Sequence, residues 1–281
     1  MCELLALSTS QPARLTFSLR ALASHGSMTS TTHDGWGVAF YQGADVALFR
    51  EPLAADGSAL VSYLENQGPS TNLAISHIRH ATQGTVQFSN TQPFIRELGG
   101  RTHVFAHNGD LPGIEAALSL GAYRPVGQTD SEYAFCVLLG RLQSLWSGAM
   151  LPALEARLSL LGAFAADLRH LGPANFLYAD SDALFAHGHR RLQNGRGHAE
   201  PPGLWILHQH CAPADPPPSS QTVRHAGVSI AQEQRVSLLI ASVPLSADAW
   251  QPMPEGELVA VRDGQLIATR ASVTSKAATA G

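Results

Sequence analysis

The order of the apolar segments is what most limits the folds open to this chain: strand-like runs come first, then two adjacent helical stretches, then strand-like runs again. The first group lies at residues 2–7, 36–41, 46–50, 73–79 and 102–108, with helical periodicity at 15–24 and 58–67. Thr129-Asp130-Ser131-Glu132 reads as a capping box opening a helix that runs to about residue 146, and 151–171 reads as a second helix. Strands return at 174–179, 183–186, 204–208, 236–242 and 258–262, the last followed by Asp263-Gly264, a type I′ hairpin signal. Strands grouped around one helix pair do not make the alternating βαβ units of a parallel sheet. An α+β sandwich is the expected class.

The 281 residues suffice for a substantial core. Residues 209–222 read as a Pro/Ser-rich surface loop, and 271–281 as a disordered tail. The 18 basic residues are 17 arginines and Lys276, which lies in that tail. Chemistries that need a lysine in a phosphate loop or a Schiff base are therefore excluded. A net charge of −4, spread along the chain, gives no footprint for nucleic acid or an anionic membrane, so neither partner is expected. With no apolar run of membrane-spanning length and no secretory signal, the expected location is cytoplasmic. Three cysteines at irregular spacing form neither a disulfide framework nor a metal pattern.

Cys2 becomes the first residue once the initiator methionine is removed. It would then carry a thiol nucleophile beside a free α-amine able to accept the thiol proton near neutral pH. The plain alternative is a small buried residue beginning an edge strand. Arg79 ends an apolar strand, where its guanidinium could clamp a substrate carboxylate in a bidentate pair or make an ordinary surface ion pair. Asn108-Gly109 is a strong hairpin signal; it could equally offer a side-chain amide and a backbone N–H to a developing oxyanion. Asp130 is not needed for its helix cap and could bind a substrate ammonium group. The glycines of His33-Asp34-Gly35-Trp36-Gly37 would keep a pocket wall thin. The pairs His187/His189 and His208/His210 have strand-face spacing, but no neighbouring ligand completes a set, and no metal is expected.

These segments, in this order, resemble the class II, N-terminal-cysteine glutamine amidotransferases, most closely the stand-alone YafJ-like branch. The resemblance is carried by residues 1–5, 33–41, 77–84, 91–94, 107–109 and 125–134, and extends weakly to about Ile267. It implies an N-terminal-nucleophile (Ntn) hydrolase fold, a four-layer αββα sandwich of two antiparallel sheets, as a single domain over residues 2–267. It implies that Cys2 attacks the γ-carbonyl of glutamine or a γ-glutamyl compound to form a thioester. Asn108 and Gly109 match the oxyanion hole, Arg79 the α-carboxylate ligand and Asp130 the α-ammonium ligand. His77, Thr82 and Trp36 complete the expected substrate-binding set, and no cofactor is implied. With no synthetase or isomerase region after the glutaminase segment, an ammonia-accepting or amidohydrolase partner would be a separate protein. A γ-glutamyl peptide or conjugate hydrolase is the second enzyme reading, and a catalytically silent or metal-binding regulatory module is the non-enzyme one. The chain departs from the family pattern at His25, where many relatives have arginine, at Gln83 and at Asp110.

If the amine is the base, a retained Met1 would acylate it. The active protein is therefore expected to begin at Cys2, which intact-mass measurement checks. Full activity with Met1 in place would overturn the amine-as-base mechanism.

Overall fold

The computed structural model describes residues 2–15, 34–80, 84–148, 150–193, 197–211, 223–225, 228–230 and 235–271. The chain opens with β1 (Glu3–Leu15), β2 (Gly35–Gln42), β3 (Asp45–Glu51), helix α1 (Ala59–Gln67), β4 (Thr71–Arg79), β5 (Phe94–Leu98) and β6 (Arg101–Gly109). One helical turn, α2 (Ile114–Ala117), leads to α3 (Asp130–Leu142) and α4 (Leu154–Leu171). Strands resume as β7 (Ala174–Ala179), β8 (Leu184–Gly188), β9 (Arg191–Leu192), β10 (Ala199–Glu200) and β11 (Trp205–Cys211). The last are β12 (Val223–His225), β13 (Val228–Ile230), β14 (Arg235–Ala241), β15 (Gln251–Pro252), β16 (Glu257–Arg262) and β17 (Gln265–Arg270).

Two large sheets result, each antiparallel throughout. The first has the order β15-β11-β14-β1-β4-β2-β3, with the β12/β13 hairpin joined to β1; the second has the order β17-β16-β8-β7-β6-β5. They pack face to face through Leu4, Ala6, Ala39 and Ile75 on one side and Val104, Ala106, Leu177, Ala179 and Ala186 on the other. The recurring alanines let the sheets approach closely. Because side chains alternate along a strand, Leu5 and Leu7 of β1 point the opposite way, into a core shared with Val38, Phe40 and the α1 residues Val61 and Leu64. The outer face of the second sheet carries Phe105, Phe176 and Phe185 against Phe135, Leu138 and Phe164 of α3 and α4. Phe105 stacks on Phe135 with ring centroids 5.4 Å apart, and such pairs add about 0.5–1.5 kcal/mol beyond burial. The layers are thus helix, sheet, sheet, helix. No described helix is long and apolar enough to cross a membrane.

Several boundaries differ from the sequence reading. β1 runs on to Leu15 because Ala13 pairs with Thr71, and Arg14 and Leu15 pair with Ser229 and Val228. Leu15 is thus strand rather than the start of a helix, and the rest of the expected helix at 15–24 lies outside the described residues. Residues 209–211 extend β11, paired to Ser237, Val236 and Arg235, rather than opening the Pro/Ser-rich loop. β5 has no counterpart in the reading; Gly99 and Gly100, both with positive φ, form the turn that pairs it with β6. The turn at Asp263-Gly264 appears as expected, with φ of 50° and 74°. The capping box is only half formed. Thr129 accepts from Glu132 N at 3.2 Å, but the Glu132 carboxylate turns to Gly127 N (2.6 Å) and Arg96 (2.5 Å) instead of returning to the cap.

The helical layer is tied to the sheet by a buried charge network. Arg157 of α4 reaches Asp180 and Asp182, each at 2.8 Å, and Arg262 also holds Asp182. Arg157 and Asp180 are fully buried, so removing the cation would strand a buried carboxylate. Arg157→Leu is expected to destabilise the protein by about 3–5 kcal/mol, measured by urea unfolding; a loss below 1 kcal/mol would show that the pair is dispensable.

Candidate active site

Antiparallel pairing puts the start of β1 beside the end of β4: Glu3 pairs with Ile78, and Leu4 with His77. Cys2, just before β1, is therefore adjacent to His80, just after β4. The half-buried Cys2 Sγ lies 3.3 Å from His80 N, which donates to it, and 3.4 Å from His80 O. Burial pushes this thiol above its ordinary value, and the neighbouring Glu3 charge adds to the rise. The His80 N–H and Arg79 pull the other way without cancelling it. The net effect favours the protonated thiol over the thiolate.

Residues 4, 6 and 75 face the space between the sheets, so the two-residue alternation turns Cys2, His77 and Arg79 to that same side. On β6 the alternation carries Val104, Ala106 and Asn108 to the space from the opposite sheet. The sheets close on one another here: the Asn108 side-chain amide donates to the Cys2 carbonyl oxygen. The Oδ1 of that amide meets no partner among the described residues. Asn108 and Gly109 do not form a hairpin turn. Both pair with β7, at Asn175 and Ala174, and the chain then continues into α2. Gly109 answers to a close approach, since a Cβ there would lie 1.8 Å from Pro173 O.

Arg79 is 3% exposed, and its guanidinium donates to Thr85 O (3.1 Å) and Gly84 O (3.2 Å). The same loop is bound onward: Asn90 donates to Thr85 O at 2.9 Å and accepts from Gln128 N at 2.7 Å, two residues before Asp130. Asp130 accepts from Leu111 N (2.8 Å) and Ser131 N (2.7 Å), which fixes both carboxylate oxygens in the first turn of α3. Its neighbour Ser131 bonds His107 Nδ1 at 2.9 Å, next to Asn108 in the chain. Hydrogen bonds and chain neighbours together thus link Cys2 through His80 and Arg79, the 84–90 loop and Asp130 back to Asn108.

The structure gathers the candidate residues unevenly. Cys2, Arg79, Asn108 and Asp130 belong to that circuit, and Gly109 follows Asn108 in the chain. His77 is fully buried on the inter-sheet side, and burial, with His107 and Arg79 nearby, pushes it down to about 3, so its ring is neutral. Trp36 goes elsewhere: it shares the core of Val38, Phe40 and α1 on the opposite face of the first sheet, and its indole donates to Glu51 at 2.9 Å. The glycines beside it serve the protein's own packing, because a Cβ at Gly37 would lie 2.4 Å from Gln92 O, and one at Gly35 would lie 3.1 Å from Thr91 Oγ1. Thr82, Gln83 and His25 lie outside the described residues.

Three contributors to the site escaped the sequence reading. Gln92 acts as a false strand for β6, accepting from His107 N (2.7 Å) and donating to His107 O (3.2 Å). Asn175 braces Asn108 from behind, donating to its carbonyl at 3.1 Å and to Arg190 O at 2.7 Å while accepting from His189 N at 2.7 Å. Glu3 forms a buried ion pair with Arg191. An amide one residue before a proline, or one inside an apolar strand, gives no local signal of such use.

No metal set appears among the described residues. Both His187 nitrogens are engaged, one at Glu257 O (3.0 Å) and one at Arg169 (3.4 Å).

Comparison with known proteins shows which family the chain and its fold are similar to. Residues 1–280 match the family model for class-II glutamine amidotransferases. The YafJ protein of Escherichia coli (strain K12) is 34% identical over 259 residues, 92% of this chain and 96% of its own length. An uncharacterised protein of Methanocaldococcus jannaschii is 29% identical, over 98% of this chain and 73% of its own. The 2.0 Å crystal structure of a predicted glutamine amidotransferase from Pseudomonas aeruginosa PA01 superposes with a TM-score of 0.67 at 31% identity, covering 95% of this chain and all of that one. A Bacillus subtilis glutamine phosphoribosylpyrophosphate amidotransferase shares the fold at 14% identity and a TM-score of 0.50, over 96% of this chain and 49% of its own.

Proposed function

Because this chain belongs to the class II glutamine amidotransferases, we propose that it hydrolyses the γ-amide of glutamine or of a γ-glutamyl compound through a thioester on Cys2. The observation that carries this reading is the meeting of Cys2 Sγ, the Asn108 amide and the strand end at Arg79 on one side of the inter-sheet space. The Cys2 thiol is protonated at rest, so attack requires its proton to leave as the S–C bond forms. The α-amine of a processed Cys2 receives it. The carbonyl π electrons move to oxygen, where the side-chain amide N–H of Asn108 and the backbone N–H of Gly109 stabilise the negative charge. Collapse of the tetrahedral species breaks the C–N bond, and the proton held by the amine passes to the leaving ammonia or amine. Water repeats the sequence on the thioester and releases glutamate and the free thiol.

Arg79 and Asp130 bind the α-carboxylate and α-ammonium, which keep their charges throughout, whereas Asn108 meets a charge that exists only at the tetrahedral stage. Arg79→Gln and Asp130→Asn should therefore raise KM, while Asn108→Ala should lower kcat by about 10²–10³ with a smaller change in KM. Cys2→Ala should abolish glutamate release. Steady-state kinetics on glutamine and a panel of γ-glutamyl amides tests the reading; turnover by Cys2→Ala, or an unchanged kcat in Asn108→Ala, would overturn it.

A further inference from the structure

Directly behind Cys2 lies a group of buried polar side chains that the proposed chemistry does not use. Glu3 is 2% exposed and Arg191 6%. Arg191 Nη2 donates to Glu3 Oε1 at 2.7 Å, and Nη1 donates to the Ser242 carbonyl at 2.6 Å. Ser242 Oγ donates to the second Glu3 oxygen and accepts from Leu4 N at 2.9 Å, while Ser242 N donates to Leu4 O at 3.0 Å. The bonds close a ring through three parts of the chain: the start of β1, the residue after β14, and the strand that follows β8 of the second sheet.

Stability is a weak reason for such a ring. A buried ion pair recovers little beyond its desolvation cost, and apolar residues of similar volume often serve as well. Its place is more telling. It fixes both backbone groups of Leu4 and the side chain of Glu3, the two residues after the nucleophile, while Asn108 holds the Cys2 carbonyl from the other sheet. Of the side-chain charges acting on the thiol, Arg79 favours the thiolate and Glu3 opposes it; His77 beside them is neutral. Arg191 offsets the one opposing charge.

We propose that the Glu3–Arg191–Ser242 ring positions the nucleophile: it sets the direction in which β1 presents Cys2 and neutralises the carboxylate next to the thiol. The inference rests on the reading of Cys2 as nucleophile. None of the three is a catalytic residue in this account, since each acts through Cys2.

The test compares Glu3→Gln, Arg191→Gln, the double variant and Ser242→Ala in the full-length protein. Two readouts are used: the pH dependence of Cys2 alkylation by iodoacetamide, followed on the Cys2 peptide by mass spectrometry, and kcat and KM for the best substrate of the panel. Glu3→Gln should move the alkylation midpoint down and Arg191→Gln should move it up. The expected change in rate at pH 7 is about 3–10-fold in opposite senses, a tenfold change in thiolate corresponding to one pKa unit. The double variant should return the midpoint towards that of the wild type. Ser242→Ala deletes no charge, so it should leave the midpoint in place and lower kcat with KM little changed. Midpoints that stay put or move together in the charge variants would overturn the electrostatic part; an unchanged kcat in Ser242→Ala would overturn the orienting part. If one single charge variant does not fold, the direction of the other's midpoint still decides the electrostatic part, and Ser242→Ala decides the orienting part, because a merely structural ring would lower its melting temperature without altering kcat. Alkylation does not depend on turnover, so a Cys2→Ala enzyme that still released glutamate would sink the proposed function without touching these midpoints.

Discussion

Everything at the site depends on β1 being held on all sides. Its edges are bonded to β4 and β14, and its faces are covered by the inter-sheet core and by the core under α1. A strand so confined has no freedom to slip, since a shift of one residue would exchange Leu4 and Ala6 with Leu5 and Leu7. The residue in front of it inherits that rigidity. Antiparallel pairing then determines what it meets, because the start of β1 can lie only against the end of β4, which delivers His80 and Arg79. The second sheet supplies Asn108 from the end of β6. Three strand ends from two sheets converge without a long loop having to be ordered.

The neighbourhood is polar yet sparing in charge. Side-chain amides do the bracing: Gln92 pairs with β6, Asn175 holds the Asn108 carbonyl, and Asn90 joins the loop under Arg79 to the approach to Asp130. An amide offers donors and an acceptor together, so it can satisfy a strand end in both directions without introducing a charge beside the thiol. The full charges near the site are tied down, Arg79 by two loop carbonyls and Asp130 by two backbone N–H groups.

Much of this was legible in the sequence, for identifiable reasons. The apolar pattern marks the ends of β7 to the residue and those of α4 to within a few residues at its start, because these patterns are long or sharply punctuated. Cys2, Arg79, Asn108 and Asp130 stand out in the sequence because each puts a thiol, a charge or an amide donor at an element's end. Trp36 did not separate from the core because an aromatic beside glycines looks the same in a pocket wall as in a sheet interior; only the alternation along β2 shows which way it faces. Asn108-Gly109 carried a turn signal that pairing with β7 overrode. Glu3, Gln92 and Asn175 were invisible because their partners are 188, 15 and 67 residues away, and sequence proximity says nothing about such pairs.

The neutral, buried histidines couple this architecture to acidity. Burial holds His77 and His187 down to about 3 and His103 to about 4, whereas an unfolded chain would protonate the same rings near 6.5. Between those values the unfolded state binds protons that the folded state refuses, so stability is full above about pH 6.5 and falls as the pH drops towards 4. With each proton worth about 1.4 kcal/mol per pH unit, three rings together give a slope of about 3–4 kcal/mol per unit near pH 5. Urea unfolding between pH 4 and 7 would read that slope directly, and a flat profile would mean that the rings can charge in place. In mild acid the fold thus answers to protons that its buried rings refuse, three of them held well below the ordinary histidine range far from solvent.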